Sequence, residues 1–523
     1  MATTTDEGIR LPNADDVETW LPPELWLNVF DLLAPQDLST VSRLSNKFHI
    51  LSRCHLHRRI YIDGGKATTM RVLRCMVLLL RTREMLHYVQ ELHIVGHGRI
   101  SNWDPFGLRD QIESLPYWGQ SLETVNGILT ELQIPDLKDW KSAIRIGSPF
   151  AWVAALLPLL PNLKLLRLDY MSVHHGGWPG LMLTHLTSGN VASRTFETKF
   201  DRLRLIDYGS NVPSGLALSS WGMDHVRDSI KRQFAGLFRP PRVEHLGLWL
   251  RYTDGIFDRP KDGCELNFRS LKSMVLAATD AEELIYDILK QTTGLQTLHL
   301  GLAYRDPAKP PFQEQDGIEW IRNGLLMHQK GLENLSLVLE LDDVIIESST
   351  WRKELDTSLQ PFTHGFFRSF RSLKTLEVPI QVLVGRRNIN SPDMNRLLPK
   401  SLRKLLLRYD VVEDRSLQVA DGGDEEEEEE EDEERNDKPW NDDSIFHCTR
   451  RFLDSRRWQT PHLEIIAFRV FDVLPFFVDD ATGDVVALSE RYGILVEREI
   501  WWTTGMWTYW DLGHPLSRWL VEV

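Results

Sequence analysis

One phrase, apolar-x-x-apolar-x-apolar, recurs ten times between Val89 and Phe468 and governs what this chain can fold into. It reads Val89-x-x-Leu92-x-Ile94, Leu163-x-x-Leu166-x-Leu168, Leu203-x-x-Ile206-x-Tyr208, Val243-x-x-Leu246-x-Leu248 and Leu271-x-x-Met274-x-Leu276. It continues as Leu295-x-x-Leu298-x-Leu300, Leu332-x-x-Leu335-x-Leu337, Leu373-x-x-Leu376-x-Val378, Leu402-x-x-Leu405-x-Leu407 and Leu463-x-x-Ile466-x-Phe468. The closing apolar-x-apolar has the period of a strand, so its two outer residues point to one side and into a core. Chance produces one such phrase in a leucine-rich chain. Ten, each opening a strand-like run, specify a repeat whose copies bury their apolar faces by stacking.

The phrase resembles the leucine-rich repeat, in which it marks a strand on the concave wall of a solenoid. The resemblance implies an α/β fold with parallel strands. Leu271 to Leu295 spans 24 residues and Leu373 to Leu402 spans 29, within the usual repeat length, whereas Leu163 to Leu203 and Leu203 to Val243 span 40 each. The longer repeats have room for helices such as Trp221–Phe238. The Asn or Cys that usually follows the phrase is largely missing, which points to long, irregular repeats. An all-helical solenoid is the rival, and the strand-like run at 337–341 argues against it. Residues flanking the inward pairs are expected on the concave wall: Arg167, Asp169, Asp207, His245, Trp249, His299, Glu377, Lys404, Arg408 and Arg469. Since Trp and Arg dominate binding hot spots, Arg167, Trp249, His299, Lys404, Arg408 and Arg469 are the expected target-binding set.

The N-terminal stretch from Leu21 to Ile62 is short, helical in pattern and rich in apolar residues. Pro22 and Pro23 pre-set a helix start, and Glu24 suits its positive end. Trp26, Val29, Phe30 and Leu33 make one apolar stripe, with Leu25 and Leu32 on a second face. Pro35 is expected to end this helix and Asp37 to cap the next, along which Leu38, Val41, Leu44, Phe48 and Leu51 recur. A helix apolar on two faces needs its own bundle and a partner.

These residues resemble the F-box, the module that docks substrate receptors on the Skp-type adaptor of a cullin–RING ubiquitin ligase. The match rests on Leu21-Pro22-x-Glu24-Leu25, Val29-Phe30, Leu33, Asp37-Leu38, Val41 and Lys47-Phe48. It departs at His57, where the family commonly has Trp, and at Ser45-Asn46, where a Cys is common. The resemblance implies an adaptor-binding set of Leu21, Pro22, Pro23, Leu25, Val29, Phe30, Leu33, Leu38 and Val41. It also implies a substrate-recognition subunit of an SCF-type ligase, with a target protein on the repeats. An interaction scaffold acting outside ubiquitination is the alternative, with the hairpin serving only as a solenoid cap.

The expected organisation is a disordered N-terminus at 1–17, an F-box at 18–62, a solenoid at 63–470 and a Trp-rich cap at 471–523. A helix from Ala67 to Gln90, with Met70, Leu73, Val77, Leu80 and Met85 at helical spacing, should couple F-box to repeats. All eleven residues from Asp424 to Glu434 are acidic, against a formal net charge of −15, so the body is only mildly acidic. The surrounding segment 412–440 is expected to be a disordered insert that the fold does not need. The cap carries Trp501, Trp502, Trp507, Trp510 and Trp519, which seal the last repeat or, alternatively, form an aromatic binding surface.

No basic field suggests nucleic acid, no apolar run is long enough to span a membrane, and no signal peptide starts the chain. Cys54, Cys75, Cys264 and Cys448 are scattered, which fits a reduced cytosolic or nuclear compartment without a zinc site. Gly64-Gly65-Lys66 and Gly96-x-Gly98 are incomplete as phosphate-binding loops, and neither Gly-x-Ser-x-Gly nor His-Glu-x-x-His occurs. His174-His175 reads as a pair of solvated histidines, with a metal contact as the alternative. The expectation is a chain with no catalytic residues, no metal and no cofactor.

Overall fold

The computed structural model describes residues 21–63, 69–95, 109–188, 200–212, 228–251, 256–257, 268–279, 282–304, 315–341, 362, 365–385, 394–408, 442–472 and 481–502. They form two compact units. One comprises 21–95, 109–167 and 200–203, and the other 168–188 and 204–502. The expected disordered N-terminus, the acidic insert and Trp507, Trp510 and Trp519 lie outside the described residues.

The first unit opens with three short helices, α1 (Pro23–Asp31), α2 (Pro35–Val41) and α3 (Asn46–Leu56). Pro35 begins α2 rather than ending α1, because a proline in the first helical position loses no hydrogen bond. Asp37 therefore lies inside the first turn of α2 and does not cap it. The apolar series from Leu38 to Leu51 breaks where the Ser45 hydroxyl accepts from Phe48 N (3.1 Å) and caps α3.

β1 (Arg59–Asp63) follows and pairs in parallel with β2 (Glu91–Val95), so the helical bundle ends before Ile62, the expected end of that segment. Between them runs α4 (Thr69–Arg81), the expected connecting helix, with Met70, Leu73, Val77 and Leu80 buried. Beyond β2 come α5 (Trp118–Glu131), α6 (Leu137–Arg145), α7 (Pro149–Leu156) and β3 (Leu165–Leu168). Every residue of α7 is buried, as a helix apolar all round must be. The Trp152 indole packs on Trp118 at 4.7 Å and donates to the Ile144 carbonyl (3.0 Å).

In the second unit, β4 (Leu205–Tyr208), β5 (His245–Trp249), β6 (Ser273–Thr279), β7 (Thr297–Tyr304), β8 (Asn334–Leu341), β9 (Thr375–Pro379), β10 (Lys404–Arg408), β11 (Ile465–Asp472) and β12 (Leu495–Trp502) pair in chain order. Every pairing is parallel. Helices return the chain between several of them, among them α8 (Glu282–Gln291), α9 (Gln315–Leu326), α10 (Asp442–Gln459) and α11 (Ala481–Tyr492). Of the expected helix at 221–238, the described part is a helical turn at Asp228–Lys231 running into a 3-10 turn at Arg232–Phe234.

The register explains the phrase. Ile206, Leu246, Met274, Leu298, Leu335, Leu376, Leu405, Ile466 and Val496 stand side by side across the nine strands. All thirty apolar positions of the ten phrases are at most 4% exposed. The residue after each first apolar position has its own task. The carbonyls of Arg204, Glu244, Lys272, Gln296, Glu333, Lys374 and Arg403 each accept two amides from the next repeat, at 2.7–3.1 Å. This fork locks the starts of β4 to β11 to one another and satisfies the backbone groups there.

The repeats run past the expected limit at 470, since α11 and β12 add another turn. Its phrase was hidden because Gly493 and Arg498 occupy two of the three apolar positions, with Val496 the third. β1 was hidden in the same way by His57 ahead of Ile60 and Ile62.

Candidate functional site: an apolar face on the N-terminal bundle

α1 sorts its apolar residues onto two sides. Trp26, Phe30 and Leu33 turn inward and meet Leu38, Val41, Phe48, Leu51 and Leu56. Trp26 meets Phe48 edge-on at 4.9 Å, and Phe30 meets it at 5.9 Å. The Asp31 carboxylate closes the bundle by binding His55 Nδ1 (3.0 Å) and Arg58 Nη1 (3.3 Å). Two expected adaptor contacts therefore need correcting. Phe30 is 1% exposed and Leu38 is 3% exposed, so they build the core and present nothing to a partner. Leu33 and Val41 pack against them.

The outward side is Leu25, Val29 and Leu32, spaced i, i+4 and i+7, which is one straight row on a helix. Leu25 is 46% exposed and Leu32 is 87% exposed. Pro22 and Pro23 are exposed at the head of the helix and Leu21 is half-buried. Leu32 was absent from the expected docking set, although its spacing of seven from Leu25 marks it. Leu44 and Ile50 are further exposed aliphatic residues of the bundle.

The expected target-binding wall is not an open surface. Trp249, His299, Arg408 and Arg469 are buried, and Arg167 and Lys404 are half-buried. Four of the six therefore cannot grip a target as placed. Their chemistry is consumed internally. One oxygen of Glu377 accepts from Arg408 Nη1 (2.7 Å) and Arg469 Nη1 (2.6 Å). The other accepts from the Ser336 hydroxyl (2.8 Å), which in turn meets His299 Nδ1 at 2.8 Å. His299, Ser336 and Glu377 share one register across β7 to β9, so this is a buried polar line running along the sheet.

Asp169 and Asp207 are likewise spent in turns. Asp169 accepts from Met171 N (2.7 Å) and Asn211 Nδ2 (3.1 Å), and Asp207 accepts from the Ser210 hydroxyl (2.6 Å). Trp249 packs on Tyr170, with the Arg251 guanidinium 4.7 Å over its ring.

The line of His299, Ser336 and Glu377 has the residue types of a nucleophilic triad in the wrong order. Ser336 lies in the middle and donates its hydroxyl hydrogen bond to Glu377, so His299 Nδ1 is the donor to Ser336 and is not placed to act on it as a base.

His174 and His175 are half-buried rather than solvated. Burial lowers both imidazole pKa values, His175 to about 4 with help from His174. Among the described residues no group of three His, Cys, Asp or Glu is placed to hold a metal ion, and no single helix is long and apolar enough to cross a membrane.

The family model for the F-box domain matches residues 19–57, which takes in α1, α2 and α3. The chain carries an F-box, and F-box domains generally bind Skp-type adaptors within cullin–RING ligases. No curated protein matches the chain.

Proposed function

We propose, on the premise of the F-box at residues 19–57, that this chain is the substrate-recognition subunit of an SCF-type (Skp–cullin–F-box) ubiquitin ligase. The reading is carried by the row of Leu25, Val29 and Leu32. These side chains stay in water although the opposite side of the same helix packs into the bundle core. Covering an exposed Leu or Val contributes roughly 1.5–3 kcal/mol, so a partner seated on this row would gain a firm hold. The adaptor takes this face and links the chain to a cullin, while the repeats hold a target protein close to the transfer machinery. The chain itself performs no transfer chemistry and needs no cofactor. Its contribution is a raised effective concentration of target, in the cytosol or the nucleus.

The test is pull-down of a recombinant Skp-type adaptor by the full chain carrying Leu25→Asp and Leu32→Asp. Both residues are exposed, so the fold should survive, and adaptor binding should weaken by about thirtyfold or more. Undiminished pull-down refutes the docking face. Capture of the full chain from cell extract that recovers the adaptor without any cullin would favour the leucine-rich scaffold instead.

A further inference from the structure

The solvent side of α4 carries Arg71, Arg74, Leu78 and Arg81, all exposed, with Arg83 exposed just beyond the helix. The spacing of three, seven and ten residues puts the first four on one narrow face about 15 Å long. None of these arginines has a carboxylate partner among the described residues. Some exposed basic groups elsewhere are paired: Arg109 with Glu113, Lys374 with Glu333 and Arg491 with Asp454. Arg81 instead sits over Tyr117, 3.9 Å from its ring centre, and Tyr117 is itself exposed. The opposite side of α4 is closed, with Val72, Leu73, Met76 and Val77 buried.

We propose that this face of α4 docks a partner protein through an acidic segment. Three features choose a protein over another polyanion. The cations are few and confined to about three turns of helix, which suits a short segment. Leu78, 59% exposed, sits among them and asks for an apolar contact. Arg and Tyr together are also the composition of protein interfaces. The proposal does not depend on the adaptor reading, since α4 lies outside the F-box.

The test measures fluorescence anisotropy of a labelled peptide, built of Glu and Asp around one central Leu, against the full chain. A single-stranded oligonucleotide and phosphatidylserine vesicles serve as rival probes. The expected result is salt-sensitive peptide binding that falls about tenfold or more in Arg71→Glu with Arg74→Glu. Arg71→Gln with Arg74→Gln should give a smaller loss and guards against misfolding of the charge reversal. Adaptor pull-down should be unchanged in both, which separates this surface from the F-box. Three results overturn the proposal: no peptide binding by the natural chain, equal binding by the variants, or preferential binding of oligonucleotide or vesicles. Binding that appears only after residues 424–434 are replaced would name that run as the occupant and exclude an outside partner.

Discussion

Glu377→Ala should be among the most damaging single substitutions in the second unit. The Glu377 side chain is 2% exposed, and its partners Arg408 and Arg469 are 0% and 2% exposed. Removing one member of a buried ion pair typically costs about 3–5 kcal/mol, because the stranded charge keeps its desolvation penalty. Here one carboxylate serves two guanidiniums and the Ser336 hydroxyl, all within 2.8 Å, which places the loss at about 4–5 kcal/mol. At about 2–4 °C per kcal/mol for a unit of this size, the melting temperature should fall by about 10 °C or more. Glu377→Gln keeps the acceptor for Ser336 but not the charge, and should lose somewhat less. The assay is a thermal melt followed by circular dichroism, with adaptor pull-down as a check that the F-box remains folded. A Glu377→Ala melt within about 2 °C of the natural chain would refute the argument that this carboxylate neutralises the two arginines.

Four further outcomes follow from the same geometry. Phe30→Ala should unfold the α1–α3 bundle at a cost of about 3–5 kcal/mol and abolish adaptor binding indirectly, visible as loss of helical signal, whereas Leu25→Asp should leave that signal intact. Gly236→Ala would place a Cβ 2.3 Å from Thr184 Cα and 2.4 Å from its N, backbone atoms that cannot yield, and should lower the urea midpoint clearly. His175 is held at about 4, chiefly by burial, against an ordinary 6.5; the unfolded chain therefore takes up the proton first, stability is lost as pH falls from about 6.5 to 4, and His175→Asn should flatten that limb in urea melts. Burial alone would raise the Glu91 pKa, but hydrogen bonds from His93 and Arg59 outweigh it and hold the carboxyl at about 2 against an ordinary 4.5; its stabilisation is full above pH 4.5 and lost toward 2, so Glu91→Gln should weaken the fold at pH 7 and lessen its acid sensitivity.

The solenoid was legible because its signal is periodic and repeated: an apolar residue at each of three phase-locked positions has only the core to go to. Where one repeat breaks phase, as at Gly493 and Arg498 or at His57, the strand forms anyway, since its neighbour's backbone supplies the hydrogen bonds that a weak phrase does not advertise. The F-box was legible as a segment but not side by side. Val29 and Phe30 are adjacent in sequence and opposite in fate, and only the position of α3 decides which of them is covered. The wall residues alternate with the core positions of their strands. Alternation tells which face a residue takes, yet not whether that face meets water, so Arg408 and Arg469 read as binding groups when they are structural ones. Nor could the sequence pair them with Glu377, which lies 92 residues before Arg469.

That long-range pair has a consequence for how the second unit assembles. Its longest interval between consecutive strands is 409–464, between β10 and β11, and the acidic run falls within it. A chain returning after such an interval has to find its register against β10 with no tight turn to guide it. Apolar pairing of Leu405 with Ile466 and Leu407 with Phe468 favours the correct face but would tolerate a slip of two residues, which also sets apolar against apolar. The ion network does not tolerate it. In the observed register Arg469 lies beside Arg408, and both reach the same oxygen of Glu377. Slipped by two, Arg469 would lie beside Leu406 or beyond the end of β10, and one buried guanidinium would lose its share of Glu377. A penalty of several kcal/mol attached to the wrong register separates two pairings that apolar contacts leave close in energy. The buried charges that weaken the case for a target site on β10 and β11 thus give those strands a reason to hold their charges inside: they specify where the chain rejoins the sheet.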